Sequence, residues 1–418
     1  MTDAHEPASS IQPVTTTERN PILDVLRGFA LFGVLVANLN QLGGEGILAT
    51  ADQLGALASA SQDAVAQWFV DLLIMDKANT LFAFLFGFGF WVQMERITIR
   101  GGKFHLIYMR RITLLTSIGF LHLWGWFAWD ILHLYGLAAV SLFFLHRIPD
   151  RWVLIIGVGL LILGRPGIMG ISHLLGIAGP PLEIAYSEEA VLTRQVAAHS
   201  GDLGAWLSAM NEHVRLDWFA SGTFCAWFLY VVGRFYLGAW TARRAWLQYS
   251  HAYLPDFGSL IIPCFFFGFT LQYFAQVIGA WPETRLSAFA PVFEALAHAV
   301  ATPLIAAGYV CTLVMLFNHK STQWLVKPFA PVGQMALTNY LMQSVFIVFI
   351  LTGIGPGLAL AGKVGTYEYV LFSLAVFSAQ ILFSQFWLSR YAHGPVEWLW
   401  RVLTYGGSPS LKKAPSTS

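Results

Sequence analysis

Long apolar runs separated by short polar breaks dominate the chain. A helix needs roughly 20 apolar residues to cross about 30 Å of hydrocarbon. Runs that meet this fall at approximately 22–42, 68–95, 108–127, 129–146, 152–176, 219–243, 257–280, 291–318, 328–352 and 368–390. They predict an all-α, polytopic membrane bundle of about ten transmembrane helices, the third and fourth joined as a tight hairpin. The first run already contains Asp24 and Arg27 and ends in Asn40-Gln41-Leu42 without a small-x-small cleavage pattern. It therefore reads as a retained span, not a cleaved signal peptide. Residues 1–20 and 408–418 are polar and rich in Pro, Ser and Thr, the composition of disordered tails. Between them, 21–216 reads as an N-terminal bundle with one long outer loop, and 217–407 as a C-terminal transmembrane domain.

Orientation follows from the basic residues, which favour cytoplasmic loops. With the N-terminus inside, the inner segments hold Arg19, Arg96, Arg100, Lys103, Arg110, Arg111, Arg147, Arg151, Arg243, Arg244, Lys320, Lys327, Arg390, Arg401, Lys412 and Lys413. The outer segments hold only Arg165, Arg194, Arg215, Arg285 and Lys363, and the first outer loop has no Lys or Arg. Ten spans with both termini cytoplasmic is the consistent solution. In the long outer loop, Ile177 to Leu216, Asp202 is placed to N-cap an amphipathic helix bearing Leu203, Trp206, Leu207 and Met210. Such a helix can lie over the outer mouth of a cavity.

Composition agrees with the pattern. Of 418 residues, 56% are hydrophobic and only 11% charged, against about 25% charged in soluble domains. The formal charge of +1 argues against nucleic acid as a partner. Cys225, Cys264 and Cys311 lie inside apolar stretches, with no disulfide framework and no metal-binding spacing.

Ionisable residues within spans carry the chemical signal, because each costs at least about 2.5 kcal/mol on insertion scales and therefore faces a partner or a cavity. Asp24, Arg27 and Asn38 share one narrow stripe of the first span, with Asp24 and Arg27 paired at i,i+3 near the cytoplasmic end. Asn38 lies about 16 Å further out along the same helix. The second span carries Asp71, Asp76 and Lys77 in its outer half. Asp76 and Lys77 diverge by about 100°, so each needs another partner. His122 falls near the outer end of the third span and Asp130 at the start of the fourth, an imidazole and a carboxylate one short hairpin apart, as general-base catalysis uses them. Glu294 and His298 form a second such pair at i,i+4, and the sequence leaves open which pair is chemical. Arg234 lies within the sixth span. Asn339, Tyr340 and Gln343 lie on roughly one face of the ninth, where they can hydrogen-bond across helices. Beyond the last span, Pro395 suits a helix start, Glu397 and Arg401 can pair at i,i+4, and Trp398 and Trp400 suit the headgroup level.

These residues match a known pattern. Leu23-Asp24-Val25-Leu26-Arg27-Gly28-Phe29-Ala30, the run Leu81 to Phe90 and the stretch His122 to Tyr135 resemble the YeiB-like bacterial membrane proteins. Two later stretches are similar to that family's C-terminal domain of unknown function 418. They are Gly333-Gln334-Met335-Ala336-Leu337-Thr338-Asn339-Tyr340-Leu341-Met342-Gln343-Ser344, and Gly394-Pro395-Val396-Glu397-Trp398-Leu399-Trp400-Arg401 with Leu403-Thr404-Tyr405-Gly406. The N-terminal part looks like the wider group of transmembrane acyltransferases, which includes bacterial surface-polysaccharide O-acyltransferases and the lysosomal heparan N-acetyltransferase. Many of the O-acyltransferases have a His eleven residues after the span-1 Arg. Here that position is Asn38, as in the heparan enzyme, and an Asn cannot be the base.

The resemblance implies an inner-membrane acyltransferase that moves an acyl group from cytosolic acyl-coenzyme A to an acceptor at the outer face. In that reading Arg27, with Asp24, meets the donor. Asn38 donates to the developing oxyanion, and His122, oriented by Asp130, is the base. Acyl-coenzyme A is a co-substrate, and no tightly bound cofactor or metal is expected. The alternative is a transporter of a small polar or anionic compound, with the same buried charges lining its pathway.

Overall fold

The computed structural model describes residues 20–99, 104–279, 290–405 and 410–412. Arg19, Arg100, Lys103, Arg285, Lys413 and most of both expected tails lie outside the described residues. The described part is helical throughout: α1 (Pro21–Gly43), α2 (Ala51–Gly55), α3 (Ala60–Leu73), α4 (Lys77–Ile99), α5 (Phe104–Gly125), α6 (Leu132–Leu142), α7 (Asp150–Leu174), α8 (Gly179–Ala185), α9 (Glu188–His199), α10 (Leu203–Val214), α11 (Thr223–Arg243), α12 (Leu254–Gly279), α13 (Ala290–Asn318), α14 (Gln323–Val326), α15 (Phe329–Gln334), α16 (Ala336–Leu351), α17 (Thr366–Arg390) and α18 (Pro395–Tyr405). This is an all-α membrane protein. Five helices, α1, α7, α12, α13 and α17, are long and apolar enough to cross a bilayer, and a sixth crossing arises if α10 and α11 count as one bent span.

α1 starts where its sequence says it should. Asn20 caps it by accepting from the Ile22 amide at 3.2 Å, Pro21 needs no donor at the first position, and Asp24 sits in the first turn. It is also the axis of the bundle. In its apolar window 83% of residues are buried, against 17% in α7, which faces outward. α4, α13, α15, α16 and α17 pack around it. The closest approach is to α15, where a Cβ at Gly28 would overlap the Phe329 carbonyl and one at Gly333 the Asp24 carbonyl. Small residues of this kind let helix backbones meet in a membrane.

Four expectations need correction. The run 68–95 is not one helix: α3 ends at Leu73 and α4 begins at Lys77, with Asp76 between them at φ 61°. The apolar run hides this break because it needs only one residue in the left-handed region, which Asp tolerates. The run 129–146 yields the eleven-residue α6, about 16 Å long and roughly half a crossing, followed by a 3₁₀ turn at Leu145–Arg147. The run 328–352 is divided at Met335 into α15 and α16. Arg165, assigned to an outer segment, lies well inside α7.

The long loop before α11 is built from α8, α9 and α10. Asp202 caps α10 through the Gly204 amide at 2.8 Å, and Trp206 and Met210 are buried beneath it. Arg194 of α9, 3% exposed, pins this roof by donating to the carbonyls of Ile47 and Gly46, each at 2.9 Å. Burial pushes its guanidinium down to about 10. A π-helical turn, Arg215–Ala220, then leads through Gly222 (φ 85°) into α11 with a 70° bend. Residues 410–412 return to the end of α17, where the Ala392 amide donates to Leu411 at 2.9 Å.

Candidate functional site

The α5–α6 hairpin sets the first cluster. A Cβ at Gly119 would overlap the His133 amide, and one at Gly136 would overlap Thr116, so the two helices lie backbone to backbone. That contact brings His122, one turn beyond Gly119, against Asp130. His122 Nδ1 lies 2.8 Å from Asp130 Oδ1, and His133 Nδ1 lies 2.8 Å from Oδ2, which also accepts the His133 amide at 3.0 Å. Tyr340 of α16 stands beside this carboxylate and accepts the Ile131 amide at 3.3 Å. Asp130 and His133 are fully buried, and His122 is 8% exposed.

These distances assign the protons. An ionised carboxylate only accepts, so both imidazoles present Nδ1–H to Asp130, and in the neutral form of His122 the lone pair falls on Nε2. That nitrogen lies 2.8 Å from Ser344 Oγ, which is also 2.8 Å from the Leu341 carbonyl. One hydroxyl proton therefore has two acceptors. When it turns to Leu341, Nε2 is a base without a hydrogen-bond donor. His133 Nε2 has no hydrogen-bond partner among the described residues and is caged by Phe120, Trp218 and Phe224. Its geometry orients Asp130.

A cavity of about 300 Å³ opens beside this network, lined by Asn38, Asp130, Tyr340, Arg165, Tyr186 and Asp217 among others. Asp130 and Tyr340 reach its wall, while His122 sits directly behind Asp130. The Asn38 amide makes no protein hydrogen bond among the described residues and faces this space. The loop between α5 and α6, the roof helix α8 and the π-helical turn close the far side, and Trp129 on the wall stacks on His213 at 5.3 Å.

Arg27 lies at the other end of α1, bound to Asp24 at 2.9 Å. Arg111 stands within electrostatic reach of it and stacks over Trp400 at 4.0 Å. At this end Glu397 of α18 caps α16: it accepts from the Leu337 amide at 2.7 Å, the Thr338 amide at 3.0 Å and the Thr338 hydroxyl at 2.5 Å. Charge-assisted bonds of this type are worth about 1.5–3 kcal/mol each. They fix the helix that carries Tyr340 and Ser344. The remaining polar groups of α16 face its neighbours. Asn339 donates to Ser384 at 3.0 Å, and Gln343 donates to Gln380 at 3.0 Å and to the Leu31 carbonyl at 3.2 Å.

A second cavity of about 310 Å³ shares Arg165 and Met169 with the first. Here the expected Glu294–His298 pair gives way to another. His298 Nε2 bonds Asp76 Oδ2 at 2.8 Å, and Glu294 is exposed. Turning the chain at Asp76 carries that carboxylate toward α13, which one helical turn from Glu294 to His298 does not. Arg165 joins Asp76 at 3.2 Å. Lys77, 1% exposed, points the other way, donating to the Asp71 carbonyl at 2.7 Å and to Gln272 at 3.3 Å. Asp71 itself accepts from Gln67 at 2.9 Å. Arg234, 2% exposed, donates to Thr80 and to the Tyr230 carbonyl, both at 2.9 Å.

The cluster on α5, α6 and α16 joins the two segments whose motifs carry the family likeness, and comparison with known proteins agrees. "Uncharacterized protein YxaH" of Bacillus subtilis (strain 168) is 30% identical over 424 residues, covering 97% of this chain and 99% of that protein. "Uncharacterized protein YeiB" of Escherichia coli (strain K12) is 31% identical over 409 residues, covering 95% and 99%. The family described as "Protein of unknown function (DUF418)" matches residues 241–407. The chain belongs to the YeiB-like family. In this YeiB-like protein the DUF418 segment supplies Ser344 and Tyr340, and the preceding half supplies His122, His133 and Asp130. Sequence reasoning passed over Ser344 and His133. His133 sits three residues after Asp130, within reach of its carboxylate, which was the available signal. A lone serine in an apolar helix gives none.

Proposed function

We propose that this protein is an inner-membrane acyltransferase that uses cytosolic acyl-coenzyme A and acylates a hydroxyl or amine acceptor at the outer face. The observation that carries this reading is the His122–Asp130 pair, held in the basic tautomer behind a cavity wall that also bears Asn38. Arg27 lies about 16 Å away on the same helix. The proposal includes both termini cytoplasmic, so that the Arg27 end faces the cytosol and the roofed cavity faces out. The basic residues Arg27 and Arg111 then meet the donor's phosphates. The acceptor takes the place of the Ser344 hydroxyl at His122 Nε2 and gives up its proton there as its oxygen or nitrogen attacks the thioester carbonyl. The carbon–sulfur bond breaks, and the coenzyme thiolate leaves toward the cytosol. Asn38 donates to the oxyanion formed in between.

The test is binding of acetyl-coenzyme A to the purified protein, followed by transfer to an added acceptor. Arg27→Ala is expected to weaken binding about tenfold or more. His122→Ala is expected to leave binding intact and slow transfer by about 10²–10⁴. If folded wild type binds no acyl donor of any chain length, the transferase reading fails. The cationic second cavity favours the alternative, transport of a small anionic compound. That reading predicts flux into proteoliposomes with no acyl donor present.

A further inference from the structure

We infer that the second cavity, between α7, α11, α13 and the turn at Asp76, binds an oxyanion, the phosphate or carboxylate of a small substrate, through Arg234 and Arg165. Arg234 is 2% exposed, yet everything it touches is neutral: Thr80 Oγ1, the Tyr230 carbonyl and the face of the Tyr230 ring, 3.1 Å from its guanidinium. Among the described residues no carboxylate lies within ion-pair distance of it. Asp76, the carboxylate on this wall, is engaged by Arg165 at 3.2 Å and His298 at 2.8 Å. Glu294 stands exposed at the edge.

A buried charge is stable only when it is paired. Arg234 uses Nε and Nη1, and its Nη2 makes no hydrogen bond among the described residues while the residue lines the cavity. Arg165 uses only Nη1, and its remaining donors stand on the wall common to both cavities. Two planar guanidinium forks on one cavity match the oxygens of a carboxylate or phosphate. Thr302 adds a hydroxyl on the same wall. A ligand anchored here extends past Arg165 toward Asn38 and Asp130. That this ligand is the acyl acceptor rests on the transferase reading; the anion site itself does not.

The test uses the full chain in phosphatidylcholine nanodiscs, with thermal unfolding followed by tryptophan fluorescence. Inorganic phosphate, glycerol phosphate and succinate are titrated in turn at an ionic strength held constant with sodium chloride. At least one is expected to raise the midpoint saturably. Arg234→Gln should abolish that rise, Arg234→Lys should keep part of it, and Arg165→Gln should raise the half-saturating concentration about tenfold. If Arg234→Gln does not fold, the partly exposed Arg165 carries the test. No saturable rise in wild type, or one undiminished in the glutamine variants that fold, overturns the site. If phosphatidylglycerol in the disc abolishes the response to soluble anions, the occupant is a lipid phosphate, and the small-substrate assignment is overturned. Acetyl-coenzyme A binding in the same discs reports separately on the transferase reading.

Discussion

The two polar clusters at the Asn38 end of the bundle are built on opposite plans. Around Asp130 nearly every donor meets an acceptor: two imidazoles and a backbone amide converge on one carboxylate, and Ser344 closes the far side of His122. Around Asp76 the count does not close, because one carboxylate faces Arg165 and His298 while Arg234 points into the same space with neutral contacts only. A saturated network fixes where a proton sits. An unsaturated one leaves a charge for something else to satisfy. Buried polarity in this protein therefore follows two patterns, and the cluster with the fuller set of hydrogen bonds is the candidate for chemistry.

The largest effect is expected at Asp130. Asp130→Asn keeps the shape but cannot accept from both imidazoles, so His122 loses its imposed tautomer. Transfer from acetyl-coenzyme A is expected to fall by about 10²–10⁴ with donor affinity unchanged, and a rate within threefold of wild type would detach the dyad from catalysis. Ser344→Ala asks a finer question. As a placeholder on Nε2 the hydroxyl is expendable, and the transfer rate should change by less than about tenfold. A loss as large as that of His122→Ala would instead make Ser344 a nucleophile, which trapping of an acylated Ser344 by mass spectrometry would reveal. The smallest effect belongs to Asp76→Asn. Asn tolerates the same positive φ, so the turn before α4 survives while Arg165 gains freedom. Half-saturating anion concentration should fall a fewfold, and an increase would mean that Asp76 helps to hold the ligand.

Much of this site was legible because its residues break a strong pattern. Asp24, Arg27 and Asn38 interrupt an apolar helix on a single stripe, and His122 and Asp130 flank a hairpin too short to separate them. The Asp76 cluster was not legible in the same way. Its partners come from α7 and α13, far away in sequence, and Glu294 stood in the position where a local rule places the partner of His298. The bend at Asp76 left no mark on the apolar run around it. Likewise α6 and α16 are apolar enough to suggest full crossings, but hydropathy does not record where Met335 interrupts a helix or where α6 stops at Leu142.

The contact between Glu397 and the start of α16 has a practical side. Because that carboxylate grips three donors at once, α18 acts as a latch on the helix that carries Ser344 some nine ångströms further along, at about 1.5 Å per residue. An affinity tag or fluorescent reporter attached after α18 pulls on that latch with every collision. One attached before α1 tugs on Asn20 and Pro21, which lie at the far side of Arg27 from the His122–Asp130 pair, and it is the safer handle for anyone who wants the purified protein to keep that contact intact.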